Sequence, residues 1–180
     1  STISRYTRFI VEVPVLTLPS LQSASDTTFR TVTGTRLETP SLTSANNCVI
    51  QLDDGGRMDA PLLTSFTSSS LTLNPSRFWN APAFTNFNSS RLVVQGGSEL
   101  AVAATTFTNS VSGTTLWTAD GSGSVLNLSS VTSITDNHSD SSANSTVKNV
   151  TASNGGVINL SGLTTVAGSP GSNDWLTFNP

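Results

Sequence analysis

The sequence carries few charged residues, and their balance argues against one class of partner. Asp, Glu, Lys and Arg make up 11% of its 180 residues, whereas an ordinary soluble domain has about 25%. Seven arginines and one lysine, Lys148, stand against eleven acidic residues, which gives a net charge of −3. Because binding to nucleic acid needs a dense basic patch, we expect no nucleic-acid partner.

Long apolar runs are also lacking. No stretch approaches the roughly 18 consecutive apolar residues of a membrane helix, and the sequence does not start with a basic segment followed by an apolar one. We therefore expect no membrane insertion, and we expect any signal peptide to have been removed.

Cysteine and histidine occur once each, as Cys48 and His138. A single cysteine excludes a disulfide framework within the chain and a cysteine metal cluster. A single histidine leaves no pair for a zinc site and only one candidate base for a catalytic triad.

The chain is instead rich in small hydroxyl residues, and it repeats itself. Serine and threonine supply 57 of the 180 residues. Four prolines are equally spaced along the chain, and each follows an apolar residue by three positions. They are Pro19, Pro40, Pro61 and Pro82. This spacing predicts a 21-residue unit held over five copies. Later copies restate the motif at longer intervals, around Leu126 and Ile158.

Stacking the units places apolar residues in columns. Within each unit the column positions have a two-residue spacing, which is typical of strands. The columns are Leu16/Leu37/Met58/Trp79/Leu100, Leu21/Leu42/Leu63/Phe84, Ala24/Ala45/Phe66/Phe87, Phe29/Ile50/Leu71/Leu92 and Thr31/Leu52/Leu73/Val94. If each unit forms one coil, like residues lie over like about 4.8 Å apart and build a continuous core. The sequence therefore predicts an all-β, parallel β-solenoid.

We predict a single domain that combines two kinds of coil with two end segments. Residues 1–14 form an N-terminal cap or first turn, and residues 15–104 form regular coils. Residues 105–170 form longer coils with insertions, and residues 171–180, with Trp175, form a C-terminal cap. The alternative that both ends are cuts from a longer solenoid stays open.

The period, the predicted parallel strands and the stacked aliphatic columns together resemble one known class of fold, and the stretch at 154–164 resembles units repeated in very large secreted bacterial proteins. The first three features are similar to the right-handed parallel β-helix, the pectin-lyase-like class of secreted polysaccharide-acting proteins and adhesins, over about residues 15–170. The resemblance implies a right-handed β-helix with about 21 residues per coil and roughly 7–8 coils, in a secreted or cell-surface protein. In that class, lyases use an acidic calcium cluster with a catalytic Arg or Lys, and hydrolases use close Asp pairs.

One outward column carries the residues best suited to chemistry. Glu38 and Asp59 share it with Asn80, and Arg57 lies two residues from Asp59. Two carboxylates and an amide about 5 Å apart could bind a hard cation such as Ca²⁺, so Glu38 and Asp59 are the candidate metal ligands. The pair could also serve acid/base catalysis. The plainer interpretation is a surface ladder of ion pairs, because Arg36 and Arg57 lie on the same face.

Aromatic residues are the other candidate ligand contacts, since a sugar ring stacks its apolar face on an aromatic ring. Aligning Trp117 with Val93 and Thr151 predicts an outward side chain, and Phe78 aligns with the outward arginines. Trp79 falls in a core column and is expected to be buried. The candidate ligand-binding residues are Trp117, Phe78, Asn80, Asp59, Glu38 and Arg57.

Two insertions, at 105–125 and 136–146, interrupt the later units. The second holds Asp136, His138 and Asp140 among several serines. We interpret it as a solvated loop, with a metal site or a Ser/His/Asp catalytic arrangement as the alternatives.

Three functions follow from these features. We favour a non-catalytic extracellular module that binds a polysaccharide or cell-surface glycan and is joined to other domains of a larger chain. The first alternative is a structural or adhesive stalk without a small ligand. The second is a polysaccharide lyase or hydrolase, which would need a convergent acid, base and arginine. The favoured function requires no cofactor, and Ca²⁺ is the ion that the acidic column could hold.

Overall fold

All regular structure in the described part of this protein is β-strand. The computed structural model describes residues 1–3, 6–75, 79–80, 84–112, 115–138, 147–169 and 175–180. Within these ranges it contains 22 strands and no helix. The strands belong to five sheets, and every pairing among them is parallel. The prediction of an all-β, parallel architecture is confirmed.

The largest sheet, called the long sheet below, has eight strands whose spatial order follows the chain. They are β2 (Thr7–Val11), β5 (Thr27–Thr31), β8 (Val49–Leu52), β11 (Ser70–Leu73), β13 (Arg91–Gln95), β16 (Thr115–Asp120), β19 (Val147–Ser153) and β22 (Trp175–Asn179). Between two neighbours of this sheet the chain passes through strands of the shorter sheets.

Four shorter sheets hold the remaining strands. The first sheet contains β1 (Thr2–Ile3), β4 (Ser23–Ser25), β7 (Ser44–Asn46) and β10 (Ser65–Thr67). The second contains β3 (Val15–Thr17), β6 (Arg36–Glu38), β9 (Arg57–Asp59) and β12 (Trp79–Asn80). The third contains β14 (Glu99–Ala101), β17 (Val125–Asn127) and β20 (Val157–Asn159), and the fourth contains β15 (Thr106–Asn109), β18 (Ser133–Asp136) and β21 (Thr165–Ala167). The chain therefore adds one strand to the same sheets in each successive unit, which is consistent with a β-solenoid.

The strands stack in the register that the repeat predicts. In the long sheet Phe29 pairs with Ile50, Ile50 with Leu71, and Leu71 with Leu92. All four side chains are fully buried. Because neighbouring strands lie about 4.8 Å apart, each apolar side chain packs directly on its equivalent in the next strand. This part of the core is therefore one continuous column of apolar residues.

The longer intervals of the later units also match the pairing. Leu100 pairs with Leu126 and Leu126 with Ile158, although the chain between them is longer than in the regular units. The second-sheet column of Leu37, Met58 and Trp79 is paired in register as well. In this column the insertions lengthen a unit and leave the equivalent residues paired with one another.

A sharp corner precedes five strands of the long sheet, the first of them at Tyr6, with a φ angle of 48°, just before β2. The other four corners lie in the regular units. The residues at these four corners have positive φ angles of 50°, 51°, 50° and 57°, and they recur once per regular unit as Asp26, Asn47, Ser68 and Ser89. Asp and Asn tolerate this left-handed conformation better than most residues. Asn47 Nδ2 also donates a hydrogen bond to Asp26 Oδ1 over 2.6 Å, which links successive corners.

The residue after each of these four corners faces inward and satisfies backbone groups. This column contains Thr27, Cys48, Ser69 and Ser90, all of them buried. The backbone N–H of Cys48 donates to Ser69 Oγ over 2.9 Å, and that of Ser69 donates to Ser90 Oγ over 3.1 Å. Small hydroxyl residues are favoured here because a buried N–H needs an acceptor where strand pairing is interrupted. Burial raises the pKa of the Cys48 thiol, which keeps it in the less reactive protonated form.

Both end segments contribute strands to the long sheet. Near the N-terminus β2 pairs with β5, and near the C-terminus β22 pairs with β19. Tyr6 and Trp175 are exposed, at 93% and 63%. Whether these segments also act as caps stays a prediction.

We expect Leu71→Ala to lower the free energy of unfolding by about 2–5 kcal/mol, because it leaves a cavity between Ile50 and Leu92 in the core column. Thr72→Ala, at the next position of the same strand, is the control and is expected to change it by about 0.5 kcal/mol or less. Urea unfolding of the three proteins measures both effects. Equal losses in the two variants would contradict the assignment of inward and outward faces.

Candidate functional site

The outer face of the second sheet brings the predicted acidic column together. Glu38 pairs in register with Asp59, and Arg36 pairs with Arg57. The residue between them in each strand is fully buried, so both pairs lie on the opposite, outward face. The backbone of Asn80 pairs with Asp59 in the next strand. Glu38, Asp59 and Arg57 therefore occupy the neighbouring positions that the sequence predicts.

Arg36 binds both carboxylates of this column. Its Nη1 lies 3.2 Å from Glu38 Oε1, and its Nε donates a hydrogen bond to Asp59 Oδ2. Thr17 Oγ1 donates to the second Glu38 oxygen over 2.9 Å. The hydrogen bond to Asp59 raises the pKa of Arg36 above its ordinary value. Since the Arg36 side chain is 46% exposed, solvent screens these pairs, and such exposed pairs stabilise a fold little. The column forms the predicted surface ladder.

The contacts of Glu38 and Asp59 can be compared with those that a calcium site requires. A hard cation prefers six or more oxygen ligands. Within the ranges that the structure describes, no three His, Cys, Asp or Glu side chains come together as a metal-binding group. Arg36 already supplies positive charge to Glu38 and Asp59. These two acids are therefore arranged as ion-pair partners.

Trp117 does not point outward, and that prediction is wrong. Its neighbours in the long sheet are Leu92 and Val150 in place of the predicted Val93 and Thr151. The register of β16 shifts between Thr115 and Trp117. The segment from Asp120 to Val125 is one residue longer than the paired segment from Ser153 to Val157. An alignment drawn back from this turn is therefore displaced by one residue in β16, which assigns each side chain to the opposite face.

The indole of Trp117 is part of the core. It is 0% exposed, and its ring lies 4.8 Å from that of Phe107 and 5.7 Å from that of Phe87. A buried ring offers no stacking surface to a sugar. The candidate site thereby loses the aromatic residue on which the glycan hypothesis chiefly depended. The second candidate aromatic, Phe78, lies outside the described residues, as does the side chain of Asn80.

Asp53 organises a second ladder, on the outer face of the long sheet, that the sequence interpretation missed. Arg30 Nη2 lies 2.7 Å from Asp53 Oδ2, and Asp53 Oδ1 accepts hydrogen bonds from Gln51 and Asn74 over 2.8 and 3.1 Å. Partial burial raises the pKa of Asp53, but these three side chains lower it by more, so it lies below its ordinary value. A turn follows Asp53, with the Gly56 N–H donating to Asp53 O over 2.7 Å.

A buried group of polar side chains lies between the fourth sheet and the long sheet. Lys148 is 0% exposed and Asp136 is 1% exposed, and Lys148 Nζ lies 3.2 Å from Asp136 Oδ2. Asp136 Oδ1 accepts hydrogen bonds from Asn109 Nδ2 over 2.9 Å and from the backbone N–H of His138 over 3.2 Å. We call Asn109, Asp136 and Lys148 the interior polar cluster.

The interior polar cluster corrects the interpretation of the second insertion. Asp136 was expected in a solvated loop, but it ends β18 and is buried. Asp140, the third residue of that hypothesis, lies outside the described residues. The sequence did hold a signal for Lys148, because it alternates with Val150, which faces the core.

Comparison with known proteins supplies no relative from which a role could be transferred. No protein-family model matches the chain, and neither curated proteins nor solved structures give a match. Among the described residues, no helix has the length and apolar character needed to cross a membrane.

The lowered pKa of Asp53 predicts a loss of stability in acid. A carboxyl group whose pKa is lower in the folded state stabilises the fold above its unfolded pKa, and this stabilisation is lost as the pH falls through the folded pKa. We expect the free energy of unfolding to fall as the pH drops from about 5 to about 2. Asp53→Asn should lower stability at neutral pH by about 1 kcal/mol and flatten this acid dependence.

The neighbouring exposed residue supplies the control. Asp54→Asn removes a carboxylate one position away and should leave the acid dependence as in the unmodified chain. Urea unfolding across this pH range measures all three proteins. An unchanged acid dependence in Asp53→Asn would contradict the role given to this ladder.

Proposed function

We propose that the chain is a structural β-solenoid, a rigid stalk-like segment that holds or spaces other parts of a larger extracellular or cell-surface protein. The observation that carries this proposal is the eight-stranded long sheet, which continues in parallel register from β2 to β22. A fold that grows by adding equivalent coils gains length without needing a site on any one of them.

The finer architecture belongs to the same proposal. Each passage through a shorter sheet, the long sheet and another shorter sheet would be one coil, which gives eight coils, the regular ones each a single 21-residue unit. Parallel strands joined by crossover connections are right-handed in about 98% of cases, which supports a right-handed helix. Seven spacings of about 4.8 Å would make the rod roughly 34 Å long.

The surface supports a structural role more than a ligand-binding one. Outward charged groups bond to one another between successive strands, as Arg36 does to Asp59 and Arg30 to Asp53. Among the described residues, the large exposed aromatic side chains belong to the end segments, as Tyr6, Trp175 and Phe178. The described coil faces thus carry polar ladders without an aromatic platform.

Glycan binding is the second candidate, favoured by one observation. A surface depression of about 250 Å³ lies beside the second sheet, lined in part by Arg36 and Arg57 and by the backbone of Gly34 and Gly55. Guanidinium groups beside a shallow polar surface can bond to sugar hydroxyl or carboxylate groups. A polysaccharide or cell-surface glycan would be the ligand there.

The solenoid proposal is tested by adding a coil. Tandem duplication of residues 36–56 inserts one 21-residue unit, which should preserve every column and leave the free energy of unfolding undiminished. Duplication of residues 36–53 is the matched control, since it breaks the period and should give an unstable or aggregated product. Circular dichroism and urea unfolding compare the two. Equal tolerance of both insertions would argue against a period-dependent coil.

Affinity gels with a panel of polysaccharides, with and without calcium, separate the two functions. We expect no retention, because a structural segment needs no glycan site. Retention that is lost in Arg57→Ala but kept in Arg91→Ala, on the long sheet, would overturn the structural proposal and establish the second candidate. Shortening of a polysaccharide during the assay would instead reveal an enzyme.

A further inference from the structure

Lys148 is buried beside one carboxylate, that of Asp136, among the described residues. It is the chain's single lysine, and its only described ionic contact is the 3.2 Å approach to Asp136 Oδ2. Neither of these two atoms makes a hydrogen bond in the part of the chain that the structure describes. Attraction offsets the desolvation of a buried ion pair only when further hydrogen bonds satisfy the charged groups. Transfer of one proton from Nζ to Oδ2 would leave a neutral amine and a neutral carboxylic acid, which are less costly to bury.

The two oxygens of Asp136 have different surroundings. Oδ1 accepts the side-chain N–H of Asn109 and the backbone N–H of His138 over 2.9 and 3.2 Å. Two donors aimed at one carbonyl oxygen stabilise the negative charge that develops there when a nucleophile attacks the carbon. Oδ2, the other oxygen, faces the amine. The carboxyl group is therefore held with one oxygen stabilised and the other next to a nucleophile.

We propose that Lys148 and Asp136 condense into an intramolecular amide bond, which makes this pair a self-modification site. The lone pair of the neutral Lys148 Nζ attacks Asp136 Cγ, and Oδ1 carries the negative charge of the tetrahedral intermediate. The Cγ–Oδ2 bond then breaks, and Oδ2 leaves as water. Both protons of that water come from the original ammonium group, one before the attack and one after it. No oxidant, cofactor or other reactant is consumed.

Asn109 is the positioning residue of this site. It pairs in register with Asp136 and is fully buried, so its amide N–H is fixed against Oδ1 before any reaction. Holding a donor in place beforehand avoids reorganisation at the moment of reaction. The amide bond would tie the end of β18 to the start of β19 and so close the connection between these two strands covalently. The bond does not depend on the proposed function, although it would suit a segment that bears load.

The single lysine makes the bond easy to detect. Trypsin acting on the denatured chain cleaves after Lys148 and, because Arg91 is the last arginine, releases residues 92–148 and 149–180. A lysine held in an amide bond is not cleaved. We expect one fragment, 92–180, and an intact mass lower than the sequence mass by one water molecule. The full mass together with both shorter fragments would overturn the proposal.

The same tryptic digest distinguishes the amide bond from other reactions that remove one water molecule. Cyclisation at Asp54–Gly55 would also remove one water, but it would leave Lys148 cleavable, and that result would count against the amide bond. Lys148→Arg keeps a positive charge without a nucleophilic amine. It should restore the full mass and cleavage at residue 148. A Lys148→Arg chain that still lacks one water would overturn the assignment to Lys148.

The role of Asn109 is tested by the rate of bond formation in the freshly synthesised chain, before the bond is complete. Asn109→Ala should slow the appearance of the uncleaved fragment by about 100-fold. Asn127→Ala, in a strand of the third sheet, is the matched control and should leave the rate unchanged. Equal rates in the two variants would overturn the positioning role. If Asn109→Ala does not fold, the digest of the unmodified chain still decides whether the bond exists.

Discussion

Backbone hydrogen bonding between parallel strands in fixed register is the constraint on which the rest of this structure depends. It places every side chain about 4.8 Å from its equivalent in the next strand, so each column must be tolerable when stacked on itself. Apolar residues meet this demand easily, as in the Phe29–Leu92 column. Charged residues do not, because like charges directly opposite one another are destabilising.

The outward ion pairs show how the sequence meets this demand. Arg36 stacks on Arg57 and Glu38 on Asp59, which brings like charges together. The ladder is stabilised diagonally, because Arg36 reaches Asp59, 23 residues ahead. Arg30 reaches Asp53 across the same separation. Moving ahead by one 21-residue repeat reaches the equivalent position in the next strand, and two further residues reach the next side chain on the same face. A separation of 23 residues therefore gives a diagonal neighbour, so the repeat itself produces this pairing.

The repeat explains which parts of the fold could be predicted from the sequence. The columns Leu37/Met58/Trp79 and Phe29/Ile50/Leu71/Leu92, the longer later intervals and the position of Glu38 beside Asp59 all depend on the recurring motif alone, and the structure pairs them as expected. The prediction for Trp117 failed for a reason that the period does not reveal. The turn after β16, from Asp120 to Val125, holds one residue more than the paired turn from Ser153 to Val157, and an alignment displaced by one residue places a side chain on the opposite face.

The interior polar cluster lies in the part of the chain where the 21-residue repeat is interrupted. Glycine, hydroxyl and apolar positions of the regular units are fixed by stacking, so a reactive side chain there would have to be repeated or accommodated in every neighbouring strand. The longer units relax that requirement. The longer later units contain three inward-facing polar residues, Asn109, Asp136 and Lys148. Lysine is rarely buried without a partner, and the partner of Lys148 is Asp136. From the sequence alone, Asn, Asp and Lys are expected at the solvent-exposed surface, because most such residues are found there. The pairing of β15 with β18 overrides that expectation, since it fixes Asn109 beside Asp136 inside the protein.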